Sequence, residues 1–232
     1  MDDEPVNPPA APLPPASRPP WTGLLVAAVA FGIVEAVLVM AYRTFLDPRG
    51  SLFPLLPLPP ALATWERLRE AATLLLLGGT AHLACRRAAS KVAAFLFLFG
   101  VWDVTYYIVL RGSLGWPRGG HDWDLLFLLP VPWIGPVYAP VVIAAVLIAV
   151  GTFVLQHEAR RGVFRVHALH GVAAGVGGLL CVWSFVEDDA ARALVALPSR
   201  YAVEFLVLGL AIGVGAFVDA VRRNRRARGA PG

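Results

Sequence analysis

The chain has 232 residues and a formal net charge of +4 at pH 7; 57% of its residues are hydrophobic and only 16% are charged. Soluble domains carry about 25% charged and about 45–50% apolar residues, so this composition excludes a soluble enzyme and a disordered chain. The sequence pI of about 9.5 does not indicate nucleic-acid binding, because the basic residues form short clusters between apolar runs of about 20 residues, the length that spans a bilayer.

The chain begins with a Pro-rich segment and continues as a series of apolar runs. Eight prolines in residues 1–20 predict a disordered tail. Because this tail lacks the basic segment of a signal peptide, we expect the run after it to be a retained membrane helix. Six transmembrane helices are predicted, at residues 22–42, 61–85, 91–110, 136–156, 166–186 and 201–221. The predicted fold class is an all-α integral membrane protein, with a six-helix domain over residues 21–221 and a basic tail over residues 222–232.

A seventh apolar stretch, at residues 125–135, has the sequence LLFLLPVPWIG. It is too short to span a bilayer and is interrupted by Pro130 and Pro132. We expect a short re-entrant or interfacial segment. Irregular backbone at membrane depth is tolerated only where protein buries it or where it lines a wet cavity.

The distribution of basic residues predicts the orientation of the helices. Six spans place both termini on one side of the membrane, and twelve of the 20 Lys and Arg residues fall on that side. The twelve are Arg18, Arg86, Arg87, Lys91, Arg160, Arg161, Arg165, Arg222, Arg223, Arg225, Arg226 and Arg228. The positive-inside rule therefore predicts cytoplasmic termini in a bacterial inner membrane. The Arg-rich segment RRNRRAR at residues 222–228 is interpreted as a contact with anionic lipid and not with nucleic acid.

Acidic residues inside membrane helices are costly, and by default they indicate function. At 1.5 Å per residue, Glu35 and Asp103 lie about 10 Å below the outer ends of their helices, and Glu70 lies about 13 Å below. Glu204 enters the sixth helix from the same side. Four carboxylates on four helices are therefore predicted to meet in one layer beneath the outward face.

Polar residues accompany these acids at helical spacing. Two stripes result, Glu66-Arg69-Glu70-Thr73 on the second helix and Asp103-Tyr106-Tyr107 on the third. A polar stripe on an apolar helix faces the bundle interior and not lipid. The catalytic candidates that we expect around an outward-opening polar cavity are Glu35, Arg69, Glu70, Asp103, Tyr106 and Tyr107. The alternative is a set of helix-end ion pairs with an aromatic belt at the membrane interface.

The loop before the fourth helix supplies a second group of candidates. The residues that would cover or contact a substrate are Trp116, Arg118, His121, Asp124 and Trp133. An oxygen-rich site for a divalent metal ion is one interpretation, and its candidate ligands are Glu70, Asp103, His121 and Asp124. The alternative is a loop that only caps the bundle, since the sequence has no HExxH or Glu-x-x-His pattern.

Four segments carry a resemblance to a known family: FGIVEAVLVMAYR, WERLREAATLLLL, FGVWDVTYYIVLRGSLGWP and DLLFLLPVPWIGPVYAP. Over residues 30–145 the chain resembles a family of bacterial polytopic membrane proteins without an assigned activity. The resemblance implies a shared fold and a shared polar layer. In this chain the family's motifs correspond to Glu35, Arg69-Glu70-Thr73, Trp102-Asp103-Tyr106-Tyr107 and Gly115-Trp116-Pro117. The resemblance implies no mechanism.

Three functions are open at this point. The first is a membrane-embedded enzyme acting on an amphiphilic, lipid-like substrate. In it, Glu70 and Asp103 would act as general acid/base groups or metal ligands, and Arg69 would hold an anionic group. The second is a proton- or cation-coupled transporter. The third is a structural or assembly subunit whose glycine-rich fifth and sixth helices pack closely. The sequence points to no cofactor other than the divalent metal ion.

Overall fold

The computed structural model describes residues 19–45, 59–186 and 200–229. Within them the chain forms six helices and one β-hairpin. In chain order these are α1 (Trp21–Phe45), α2 (Pro60–Ala84), α3 (Ala88–Leu114), β1 (Trp123–Phe127), β2 (Trp133–Pro136), α4 (Tyr138–Arg161), α5 (Ala168–Val186) and α6 (Val203–Gly229). The prediction of an all-α membrane protein is confirmed. The Pro-rich tail predicted for residues 1–20 lies, up to residue 18, outside the described residues.

Five of the described helices, all except α2, are long and apolar enough to cross a membrane. α2 has 25 residues, as α1 does, but its first half is charged. It nevertheless runs antiparallel to α1: Arg69 contacts Glu35, and further along the pair Leu24 and Thr80 line one cleft. These contacts extend over about 16 Å of each helix, so α2 lies at the same depth as α1. The packing therefore favours the predicted sixth span.

α3 lies at the centre of the first four helices and packs against α1, α2 and α4. Its contact with α4 is close because glycines take the place of side chains. A Cβ atom at Gly100 would lie 2.7 Å from the carbonyl oxygen of Ala144, and one at Gly151 would lie 2.5 Å from that of Ala93. These distances are shorter than van der Waals contact, so a larger residue at either position would push the two helices apart.

α5 and α6 form an antiparallel pair that packs mainly on itself. At one end the Ser184 hydroxyl lies 2.8 Å from the Tyr201 hydroxyl, and at the other end His170 Nε2 lies 2.9 Å from Asp219 Oδ2. The pair contacts the rest of the described bundle through β2 and, to a smaller extent, through α4. α6 continues past the predicted boundary at residue 221 to Gly229, so most of the basic segment is helical.

The bundle has two ends, which the following text calls the hairpin end and the opposite end. The hairpin end holds the β-hairpin and the C-termini of α1, α3 and α5. The opposite end holds the start of α1 and the end of α6. There Trp21 of α1 packs edge-on against Phe97 of α3 with ring centroids 5.5 Å apart, and Phe153 of α4 packs against Phe217 of α6 at 5.4 Å. The start of α1 and the end of α6 thus lie on the same side of the bundle.

The apolar segment with two prolines forms part of an antiparallel β-hairpin in which β1 pairs with β2, Asp124 lying opposite Gly135. Phe127, at the end of β1, packs against Trp102 of α3 with ring centroids 6.0 Å apart. Trp102 lies about 18 Å before the end of α3, so the hairpin reaches deep into the bundle, as a re-entrant segment does. The sequence did not predict the strand pairing, which satisfies backbone groups that find no water at this depth.

Candidate functional site

Asp124 is the centre of a polar cluster at the hairpin end. It lies on β1 opposite Gly135, and only 2% of its surface is exposed. Its Oδ2 atom accepts a hydrogen bond of 3.0 Å from the Tyr107 hydroxyl, and the Tyr106 ring packs edge-on against the Tyr107 ring with centroids 4.9 Å apart. Its Oδ1 atom lies 3.9 Å from the Arg43 guanidinium. The hairpin thereby brings the Asp124 carboxyl into contact with side chains of α1 and α3.

The environment of Asp124 changes its acidity. Burial raises the pKa of this carboxyl to about 6, because removal from water penalises the charged form. The Arg43 guanidinium and the Tyr107 hydroxyl act in the opposite direction but do not compensate for burial. The environment of Asp124 therefore favours its protonated form more than water does.

Asp103 lies one helical turn before Tyr107 on α3. Its Oδ2 atom is buried and has no hydrogen-bond partner among the described residues. The charge of Asp124 is close enough to repel that of Asp103. The nearby guanidinium of Arg43 contacts Asp124. An unpaired buried carboxylate is costly, so the pair is arranged to hold at least one proton.

Arg43 belongs to this cluster although the sequence did not single it out. It lies in the last turn of α1, and its guanidinium stacks over the Trp116 ring, 4.1 Å from the centroid. Its Nε atom is buried without a hydrogen-bond partner in the described part of the chain. Sequence reasoning counted Arg43 only as an outward basic residue. The sequence feature that could have indicated Arg43 is its position eight residues after Glu35, on the same side of the helix.

Arg69 makes ion pairs within the bundle. Its guanidinium contacts Glu35 of α1 and lies 2.7 Å from Glu66 Oε1 on its own helix. Because two carboxylates already occupy it, Arg69 has little capacity left for the anionic group that we expected it to hold. Glu204 does not join the predicted carboxylate layer, since it is exposed and lies 2.8 Å from Arg200.

Glu70 anchors the hairpin to α2. Its two carboxyl oxygens lie 2.9 and 3.0 Å from the backbone nitrogen of Leu128, which donates to both. Only 4% of the Glu70 surface is exposed. Leu128 follows β1 directly, where the strand ladder ends and leaves a backbone N–H without a ladder partner. Glu70 thus supplies an acceptor that water cannot supply at this depth.

The residues predicted to contact a substrate lie in different environments. Trp116 packs under Arg43, whereas Arg118 is exposed. His121 is exposed and packs against the Tyr138 ring with centroids 5.5 Å apart. Trp133 lies on β2, and its ring stacks on Phe185 of α5 at 6.3 Å. Of this group, Trp116 and Asp124 are the members that belong to the polar cluster.

The four predicted metal ligands do not come together in one site. Among residues 19–45, 59–186 and 200–229, no group of three or more His, Cys, Asp or Glu side chains has the arrangement of a metal site. Glu70 is held by the Leu128 backbone, and His121 is at the surface. Asp103 and Asp124 are neighbours, but two carboxyls are fewer ligands than a protein site for a divalent ion normally provides. The metal site remains a prediction that this geometry does not support.

Several polar atoms around the hairpin are buried without a hydrogen-bond partner in the described chain. They are Arg43 Nε, Trp102 Nε1, Asp103 Oδ2 and Trp133 Nε1. Buried polar groups in folded proteins are nearly always paired. Their concentration beside one hairpin therefore marks a place where a bound molecule or water completes the hydrogen bonding.

Comparisons with protein-family models, with curated proteins and with solved structures found no match. They do not test the resemblance that the motifs suggest, and the site has to be interpreted from its own chemistry.

Proposed function

We propose that this chain is a membrane-embedded enzyme that acts on an amphiphilic, lipid-like substrate at the hairpin end. Asp103 serves as the general acid/base group. The observation that supports this proposal is the Asp103 Oδ2 atom, which is buried beside Asp124 and has no partner among the described residues. A general acid/base group needs a free oxygen in reach of the substrate and a proton that is neither tightly held nor fully lost.

The charges of the cluster favour proton transfer. Asp124 is engaged by Tyr107 and by Arg43, which leaves Asp103 as the carboxyl available to a bound molecule. The Arg43 guanidinium offsets the charge of Asp124, and a proton on Asp103 keeps the two neighbouring carboxyls from both being charged. Asp124, Tyr107 and Arg43 are positioning residues in this scheme.

The depth of the cluster favours an amphiphilic substrate. Asp103 lies about 16 Å before the C-terminal end of α3, and the hairpin that reaches it is lined by aromatic side chains such as Phe127 and Trp133. A lipid-like molecule reaches this depth from the bilayer with its chain among apolar residues and its polar group at the carboxyls. A small hydrophilic solute would lose its hydration on the same path.

The proposal is tested by comparing lipid extracts of cells that express the wild type, Asp103→Asn or Glu204→Gln. Glu204 is the matched control, because it is an acid at the same end of the bundle that is exposed and paired with Arg200. We expect a lipid species whose abundance changes with the wild type and with Glu204→Gln but not with Asp103→Asn. Identical lipid profiles for well-folded wild type and Asp103→Asn would overturn the proposal.

Proton- or cation-coupled transport is the alternative, because a carboxyl pair that shares a proton also suits coupling. The described helices offer this function less support. Between the cluster and the opposite end, α3 and α4 meet through Gly100 and Gly151, and the neighbouring core residues, such as Phe97 and Ala94, are apolar. Proton uptake by proteoliposomes under an imposed potential, abolished in Asp103→Asn, would favour transport over catalysis.

We also propose that both termini face the cytoplasm of a bacterial inner membrane. The supporting observation is that the start of α1 and the end of α6 lie at one end of the bundle, together with most of the basic residues. The test uses a chain whose native cysteines are replaced by serine and that carries Arg86→Cys or Ser113→Cys. A membrane-impermeant maleimide should label Ser113→Cys in intact cells and Arg86→Cys only after permeabilisation; the reverse pattern would overturn the orientation.

A further inference from the structure

The opposite end of the bundle carries a dense set of exposed basic side chains. In the described chain they are Arg86, Arg87, Arg160, Arg161, Arg165, Arg222, Arg223, Arg225 and Arg226. The described acids at this end are already engaged. Glu158 is buried, where it accepts hydrogen bonds from Ser90 and from the Phe164 backbone. The exposed surface therefore has an excess of positive charge.

Asn224 holds two separate basic segments together. Its Oδ1 atom accepts a hydrogen bond of 2.9 Å from the backbone N–H of Arg165, and its Nδ2 atom donates one of 2.8 Å to the backbone carbonyl of the same residue. Asn224 is itself only 8% exposed. This two-way contact fixes the segment between α4 and α5 against the last turns of α6. The exposed Arg165 is thereby held beside the turn of α6 that carries the exposed Arg225.

The acid nearest to Asn224 on α6 is Asp219, and it is already paired. Asp219 Oδ2 lies 2.9 Å from His170 Nε2 of α5 and 2.8 Å from Arg223 Nε. Asp219 is thus bound to Arg223 and His170, and the two-way contact at Asn224 involves only the backbone of Arg165. The charges of Arg165 and Arg225 are therefore not cancelled by Asp219.

The length of α6 places the contact between Asn224 and Arg165 at a membrane surface. Val203 and Arg222 are separated by about 28 Å along the helix, which is close to the thickness of the hydrocarbon core. Because Val203 lies at the hairpin end, Arg222 and the residues after it reach the headgroup region on the other side. Phosphate is the anionic group that a bilayer presents at this level.

We propose that Arg165 and Arg225, brought together by the contact of Asn224 with the Arg165 backbone, form a binding site for the phosphate of an anionic phospholipid. The site differs from a general basic surface, because two segments of the chain are fixed to each other by a buried side chain. Basic pockets between membrane helices bind anionic headgroups in this way. The site is separate from the polar cluster at the hairpin end and does not depend on the proposed enzymatic function.

The test titrates the purified full-length protein with dihexanoyl phosphatidylglycerol or dihexanoyl phosphatidylcholine in mild detergent and follows the rise in thermal unfolding temperature. The variants are Arg165→Gln, Asn224→Ala and, as matched control, Arg87→Gln, an exposed arginine at the same end. We expect the wild type and Arg87→Gln to bind phosphatidylglycerol more tightly than phosphatidylcholine. Arg165→Gln should lose about fivefold in affinity, the equivalent of one basic residue at a lipid surface.

Asn224→Ala should weaken binding to a similar extent although it removes no charge, a result that a diffuse basic surface would not give. Equal losses in Arg165→Gln and Arg87→Gln would overturn the proposal, and so would equal affinity for the two lipids. Binding of a single-stranded oligonucleotide in place of phosphatidylglycerol would also overturn it. Arg165 is exposed, so its variant remains informative if Asn224→Ala fails to fold.

Discussion

Replacing Glu70 tests whether this residue holds the hairpin in place. Glu70→Ala removes both oxygens that accept from the Leu128 backbone and leaves a buried N–H without a partner. Hydrogen bonds to charged groups contribute about 1.5–3 kcal/mol, and an unsatisfied buried donor costs about 1–3 kcal/mol. We therefore expect a loss of about 2–3 kcal/mol. Glu70→Gln keeps one acceptor oxygen and should lose less than about 1 kcal/mol.

The measurement is thermal unfolding in mild detergent, combined with hydrogen exchange of the segment around Leu128. For a chain of this size, 1 kcal/mol corresponds to about 2–4 °C, so Glu70→Ala should unfold about 4–12 °C below the wild type. Exchange should increase at residues 126–134 and stay unchanged in α5. Glu204→Gln, an exposed acid on α6, is the control. If Glu70→Ala exchanges as slowly as the wild type at Leu128, the anchoring role is refuted.

Four further predictions follow from other contacts. Arg69→Gln should destabilise the chain by about 1.5–3 kcal/mol, and adding Glu35→Gln should recover part of the loss; no recovery in chemical unfolding would contradict the ion pair. Burial raises the pKa of Asp124 above its ordinary value of 3.8 to about 6, which corresponds to about 3 kcal/mol. The folded state therefore binds the proton more tightly, and stability should fall as the pH rises from 4 to 7; an equally steep profile in Asp124→Asn would refute this. Gly151→Val should destabilise by about 1–3 kcal/mol, and a wild-type unfolding temperature would show that α3 and α4 do not meet there. Chelation with EDTA should leave the unfolding temperature unchanged; a drop reversed by one divalent ion would restore the metal hypothesis.

The helices were predictable because each one combines length with a continuous apolar run. The first helix was predicted at residues 22–42 and extends over Trp21–Phe45, and the fourth was predicted at 136–156 and extends over Tyr138–Arg161. Their ends differ by a few residues, since hydropathy locates the hydrocarbon core and not the last hydrogen-bonded turn. The strands were not predictable in this way. The β-hairpin owes its place to Glu70 and to the aromatic side chains of α3, which are remote in sequence.

The candidate site was predictable in part. Helical spacing puts Asp103, Tyr106 and Tyr107 on one face of α3, and the Tyr107 hydroxyl donates to Asp124. Depth says nothing about partners, so the pairing of Arg69 with Glu35 and the role of Glu70 as an acceptor for backbone were not foreseen. Arg43 was overlooked for the same reason, because a basic residue at a helix end has the same sequence pattern whether it faces headgroups or folds over a tryptophan.

The packing of α5 and α6 mainly on each other has a consequence for biogenesis. One face of β2 is covered by Phe185 of α5. A Cβ atom at Gly135 would lie 2.5 Å from the Phe185 ring, and the Trp133 ring stacks on the same phenylalanine. A ribosome that has released only the first four helices has therefore made a hairpin with one uncovered aromatic face. That face stays open to chaperones and proteases until the last two helices insert and dock. The hairpin is thus fully covered only when the chain is complete.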